Sequence, residues 1–192
     1  MRVIAALTLL SAGLVATSAA TPAQWLPATL YGALGWGVTE YGFHRFVLHL
    51  PRPRARWLQR VHAVLHWQHH QEPDDPRHLF IPLPGVLNLF ALWGGIGYAA
   101  GGLLAGAAAA LGLGATLLFY ETTHLAAHVG YKPRTRWGQH MKRFHRLHHY
   151  KNERYWFGVT HPLIDHLART WPAHERVEKS DTARTLGIEP SQ

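Results

Sequence analysis

The chain has 192 residues, enough for one domain, and no cysteine, which excludes disulfides, thiolate zinc sites and cysteine-ligated iron–sulfur clusters. Its net charge is +8 and its mean hydropathy −0.11, a soluble-looking average that conceals segregation: residues 81–120 carry no charged side chain, whereas 131–154 hold eight of the 19 Lys and Arg. Five more basic residues lie in 51–77, and both basic stretches follow apolar segments, so the charge reads as the positive-inside signal of a membrane protein and nucleic acid is not expected as a partner.

In chain order, residues 3–20 are small and apolar behind Arg2. They fit a first membrane helix or a signal peptide with a cleavage site near Ser18-Ala19-Ala20, and the further spans that follow favour the helix. Trp25 to Leu50 is the second apolar segment, interrupted late by Glu40, His44 and Arg45 and stopped by Pro51 and Pro53. Residues 55–71 read as a helix too polar to span, and 71–77 as a loop of prolines and acidic residues. Ile81 to Tyr120 is 40 residues long, enough for two spans of about 20. Its glycines (Gly94, Gly95, Gly97, Gly101, Gly102) mark a hairpin turn and permit close helix packing. The last span continues through Glu121 and ends near Gly130, and residues 136–150 form another basic helix. Beyond Trp171 the chain turns polar and is expected to fray, giving one domain over 1–174 and a polar tail over 175–192. The expected fold is all-α: an integral membrane protein of about four transmembrane helices capped by cytosolic helices, with the metal site on the cytoplasmic side.

That site is expected from ten histidines in four clusters: His44 and His49; His66, His69 and His70; His124 and His128; His145, His148 and His149. Neutral imidazole is the commonest metal-ligating side chain, and burying this many without a partner is costly. Helical positions i, i+3 and i+4 share a face, so each HxxHH set points one way, and His124 and His128 can share a metal. His44 and His49 are five apart, roughly 140° around an ideal helix, and face together only if the helix ends or distorts. HxxHH occurs twice, each time after a helix end carrying a histidine pair, a weak repeat that suggests pseudo-symmetric ligand donation. Ten ligands over two ions leave about five each, which suits iron and oxygen chemistry better than a closed four-coordinate zinc site. A histidine-rich metal transporter is the rival reading, but it should place ligands at mid-membrane, where these spans carry none.

The chain resembles the membrane fatty acid hydroxylase superfamily, which includes sterol desaturases and carotenoid hydroxylases. The resemblance rests on Glu40 to His49, on His66-Trp67-Gln68-His69-His70, on Asp75 to Pro82, on Glu121 to His128, and on Met141 to Lys151 followed by Phe157-Gly158-Val159-Thr160 and Asp165. It covers about 36–170 and is nearest the fatty acid 2-hydroxylases, with carotenoid or sterol hydroxylases and desaturases as the alternative. It implies a non-haem diiron oxygenase acting on a lipid acyl chain, with two iron ions, O2 as co-substrate and the ten histidines as ligands; zinc can replace iron in such sites on purification. No fused cytochrome b5 domain is recognised, so a separate donor, cytochrome b5-like or ferredoxin and reductase, is expected. Glu40, Glu121 and Asp165 are candidates to orient the ligands, with His62, one turn before His66, and His161, which stands where a small residue is expected. His78, His140, His166 and His174 are not expected to be ligands.

Overall fold

The computed structural model describes residues 1–188 and, among them, contains helices and loops but no strand. The helices are α1 (Arg2–Thr17), α2 (Pro22–Phe43), α3 (Arg56–His62), α4 (Gln68–Gln71), α5 (Leu83–His128), α6 (Arg136–Tyr150) and α7 (Leu163–Leu167). Two further segments, His44–Leu48 after α2 and Ala63–Trp67 between α3 and α4, are single π-helical turns. The chain divides into two compact units, one of residues 1–39 and 81–121, the other of residues 40–80 and 122 onward.

In the first unit four helical rods pack together: α1, the start of α2, and two arms of α5. The arms arise because Gly101 (φ −153°, ψ 22°) and Gly102 (φ 70°, ψ −161°) leave helical geometry and reverse the chain. Only glycine tolerates the Gly102 conformation without strain. The expected hairpin is therefore present, with its turn at the C-terminal end of the glycine-rich run. Small residues set the spacing between rods. A methyl group on Gly32 would collide with the Ala109 carbonyl, and one on Gly112 with the Thr29 carbonyl. Ile4, Trp36, Val86, Leu113 and Leu117 form one core cluster, and Val15, Ala107 and Ala108 another. α1 is thus built into the unit through Ile4, Thr8, Ser11 and Val15. By length and apolarity alone, of the helices described, only that containing α5 is long enough to cross a membrane; α1 is apolar but has 16 residues.

The second unit has little apolar core: Phe144, Trp156 and Val177, with Leu147, Tyr155 and Trp171 against them. Its centre is polar. α6 begins on Thr135, whose hydroxyl accepts from Gly138 N at 3.1 Å, the expected use of an N-cap threonine. Residues 175–188 do not fray. Val177 joins the core, Ser180 N donates to Lys151 O at 2.7 Å, and Ala183 and Ile188 are buried. The sequence hides this because the anchoring groups are backbone atoms and short hydroxyls rather than an apolar stripe.

Candidate metal centre

All ten clustered histidines lie in the second unit, and nine of them are under 9 % exposed. They fall into two groups of five. His44, His49, His66, His70 and His148 form the first; His69, His124, His128, His145 and His149 form the second. Within each group one ring nitrogen per residue lies within 4.8 Å of the others. Around an ion with metal–nitrogen bonds of about 2.0–2.1 Å, opposite ligand atoms sit about 4.2 Å apart, so each group needs only slight contraction to close on a cation.

The grouping departs from the one-face reading of HxxHH. In the first box the i and i+4 residues, His66 and His70, enter one group and His69 the other. In the second box His145 and His149 enter one and His148 the other. The two boxes exchange their middle histidines, so the expected pseudo-symmetric donation takes a crossed form. The local backbone explains how the residues meet. The π-turn at His44–Leu48 closes rings one residue wider than an α-turn, bringing His44 and His49 onto one side. Of the two ways a spacing of five allows, a helix end or a distortion, the structure uses the distortion.

A longer repeat underlies this. Pro53-Arg54-Ala55-Arg56-Trp57 recurs as Pro133-Arg134-Thr135-Arg136-Trp137, 80 residues on, and the box histidines recur 79 residues on. Gln59 Nε2 donates to Pro53 O at 2.7 Å and Gln139 Nε2 to Pro133 O at 3.0 Å, the same bond in both copies. The one-residue difference is absorbed by the π-turn at Ala63–Trp67. Every histidine of the first group then has a counterpart in the second: His44 with His124, His49 with His128, His66 with His145, His70 with His149, His148 with His69. This spacing is present in the sequence, spread over segments that share few residues besides the histidines and the Pro-Arg-x-Arg-Trp stretch.

The hydrogen bonds fix the chemistry of the rings. His44 Nδ1 donates to Phe157 O at 2.7 Å, His70 Nδ1 to Ala183 O at 2.8 Å, His124 Nδ1 to Leu79 O at 3.1 Å and His148 Nδ1 to Tyr155 O at 2.7 Å. A carbonyl only accepts, so in the neutral tautomer each of these rings presents a bare lone pair on Nε2. His44 Nε2 lies 3.2 Å from His66 Nε2, which is 3.0 Å from His49 Nε2; His124 Nε2 lies 3.0 Å from His69 Nε2. His128 and His149 Nε2 lie 2.8 and 3.2 Å from His145 Nε2. The Nε2 atoms of His70 and His148 are buried with no partner among the described residues. Burial and then neighbouring imidazoles push His66, His69, His145 and His149 well below the ordinary imidazole range, and burial pushes His70 to about 3. Converging neutral lone pairs, unable to relieve one another by protonation, make a donor set that could hold a cation.

The carboxylates work one step further out. Asp165 accepts from Phe157 N at 3.0 Å and Gly158 N at 2.7 Å; Glu40 accepts from Val159 N at 2.6 Å and Thr160 N at 2.9 Å. Four consecutive N–H groups are thus held by two buried carboxylates, which fixes the loop that offers its Phe157 carbonyl to His44. Trp156, fully buried at φ 59°, is the reversal that lets Tyr155 and Phe157 both present carbonyls to histidines. A bulky residue in that region is strained and held by its surroundings. Glu121 accepts from Ile81 N at 3.0 Å. His62 packs edge-on to Trp67, and His161 has a buried Nδ1 with no partner among the described residues; neither is in a histidine group. His140, His166 and His174 are also outside both groups, while His78 lies with Glu72 and Asp75 in a small, partly exposed set. Sequence reasoning missed the carbonyls of Leu79, Tyr155, Phe157 and Ala183, for which residue identity gives no signal.

Two helix-borne histidine pairs and two crossed HxxHH boxes define a histidine-rich, helical metal-binding class. The chain belongs to the fatty acid hydroxylase family, whose model matches residues 29–170. It is 31% identical over 154 residues to the dihydroceramide fatty acyl 2-hydroxylase FAH2 of Arabidopsis thaliana, covering 78% of this chain and 62% of that protein. It is 32% identical over 152 residues to the mouse (Mus musculus) fatty acid 2-hydroxylase, covering 72% of this chain and 38% of that one. Among solved structures, full-length scs7p, with only its hydroxylase domain visible, superposes with a TM-score of 0.75 at 26% identity, over 90% of this chain and 65% of that one. The chain therefore spans less than two thirds of the length of these relatives.

Proposed function

We propose that the chain is a membrane-bound, O2-dependent non-haem diiron hydroxylase that inserts a hydroxyl group at an unactivated C–H bond of a lipid acyl chain. The observation that carries this reading is the pair of five-imidazole groups, with four ring tautomers fixed by carbonyls, in a chain of this family. The substrate class follows the relatives, named as acyl 2-hydroxylases and ceramide fatty acid hydroxylases, and makes C2 of the acyl chain the favoured position. When bound, two iron ions would supply activation of dioxygen, with two electrons from a donor of the cytochrome b5 or ferredoxin type.

The chain's own residues do the rest. His44, His49, His66, His70 and His148 would hold one ion, and His69, His124, His128, His145 and His149 the other. The Phe157, Tyr155, Leu79 and Ala183 carbonyls keep four rings protonated on Nδ1 and turned inward. Burial keeps the imidazoles neutral and excludes bulk water. Glu40 and Asp165 keep the 157–160 loop in place, and in this role they orient ligands without touching them.

The membrane setting, with four spans and the metals on the cytoplasmic side, is supported by the basic stretches and by the outer surface of the first unit. Leu26, Leu30, Leu34 and Val38 form an exposed i, i+4 stripe on α2, with Leu34 71 % exposed. Leu9 and Leu10 on α1 and Leu103 on α5 are also exposed, and large exposed apolar surface marks a membrane or partner contact. The test is comparative lipid mass spectrometry of cells expressing the chain with a reductase system. Hydroxylated acyl chains that disappear with His145→Ala support the reading; a lipidome identical for parent, variant and empty vector refutes it.

A further inference from the structure

The two histidine groups correspond ring for ring, but their outer contacts differ. His70 donates from Nδ1 to the Ala183 carbonyl, whereas the Nδ1 of its counterpart, His149, is buried with no partner among the described residues. Ala183 is 3 % exposed and belongs to a segment outside the 29–170 stretch that the family model matches. That segment is fastened on both sides. Toward α6, Ser180 N donates to Lys151 O at 2.7 Å, Asn152 Nδ2 to Glu178 O at 3.1 Å, and the Ser180 and Thr182 hydroxyls to Glu153 Oε1 at 3.1 and 2.6 Å. Toward α4, Arg184 Nε donates to His70 O at 2.9 Å and its Nη2 to Gln71 O, while the guanidinium lies 5.1 Å from the Tyr150 ring centre. One residue therefore grips the backbone of His70 while its neighbour's carbonyl fixes the ring.

We propose that residues 178–188 are a strap that positions His70 and makes the first histidine group hold its metal more tightly than the second. The proposal rests on the reading of both groups as metal sites. Groups that orient a ligating imidazole from outside are worth about 10–100-fold in metal affinity.

The test uses the full chain in detergent, stripped and reloaded with zinc(II), then mixed with excess chromogenic chelator. The parent should release two equivalents in two phases. Arg184→Ala should accelerate the slower phase about 10–100-fold and leave the faster phase unchanged. Arg184→Lys, which keeps one donor, should fall between them, and a chain ended at Val177, lacking the Ala183 carbonyl, should lose the slower phase at least as fully. Acceleration of both phases together, with a matching drop in thermal midpoint, would assign the segment a merely structural role and overturn the proposal. Unchanged release in Arg184→Ala and the shortened chain would overturn it too. A parent that holds fewer than two zinc equivalents would instead refute the site reading beneath it.

Discussion

Replacing Glu40 by alanine attacks the loop rather than the ligands. Three buried donors, Val159 N, Thr160 N and the Thr160 hydroxyl, lose their acceptor together. Leaving a buried donor unsatisfied costs about 1–3 kcal/mol, and with partial relaxation the three together cost about 3–6 kcal/mol. For a chain of this size that is roughly 6–24 °C in thermal midpoint. It is also a large share of the roughly 5–15 kcal/mol that stabilises a typical domain. Glu40→Gln keeps an oxygen for the two N–H groups and should lose less than half as much. Because the same loop offers the Phe157 carbonyl to His44, the alanine variant should weaken the first metal group more than the second. Thermal unfolding in detergent, with metal content measured on the same samples, checks both effects. A Glu40→Ala protein with the parental midpoint and full metal content would refute the claim that this carboxylate fixes the loop.

Three other perturbations test separate parts of the account. Gly102→Ala places a Cβ at φ 70°, ψ −161° and should cost about 1–3 kcal/mol, read as a lowered thermal midpoint; an unchanged midpoint would argue against that hairpin turn. Gly32→Leu should be worse than Gly42→Leu, because a side chain at Gly32 meets the Ala109 backbone while Gly42 faces open space; equal midpoints would contradict the close packing of α2 on α5. The metal-free protein should lose stability in acid: burial lowers the His70 pKa from 6.5 to about 3 and moves the other buried box histidines the same way. Below pH 6.5 the unfolded chain therefore binds more protons than the folded one, so stability is complete above that value and is lost as the pH falls toward 3. A thermal midpoint that stays level from about pH 8 to about pH 4 would contradict neutral, buried imidazoles.

The helices and the histidines were legible because they depend on side-chain pattern. α6 spans Arg136–Tyr150, the same limits the basic, histidine-bearing stretch indicates, and the glycine run locates the α5 reversal to within a few residues. The histidine pairs were legible as partners, yet the crossing of the two boxes was not. At i, i+3 and i+4 all three rings share a face, and which of two neighbouring clusters each ring joins depends on how the opposing helix approaches. The sharing of the work between carbonyls and carboxylates was also hidden. Glu40 and Asp165 are expected from the sequence to orient the imidazoles directly, but backbone carbonyls receive the imidazole protons and the two carboxylates hold the loop. The segment after Trp171 reads as a tail because most of its contacts are made by Ala183 O, Ser180 and Thr182, with only Val177 and Ile188 as larger buried apolar side chains.

The central claim is that ten histidines form two separate five-imidazole metal sites. Metal content per folded, detergent-purified chain, compared between the parent, His66→Ala and His145→Ala, tests it most directly. His66 belongs to one group and His145 to the other, so the account predicts two equivalents in the parent and the selective loss of one, a different one, in each variant. A parent carrying zero or one equivalent, or variants that lose both metals while remaining folded, would contradict it.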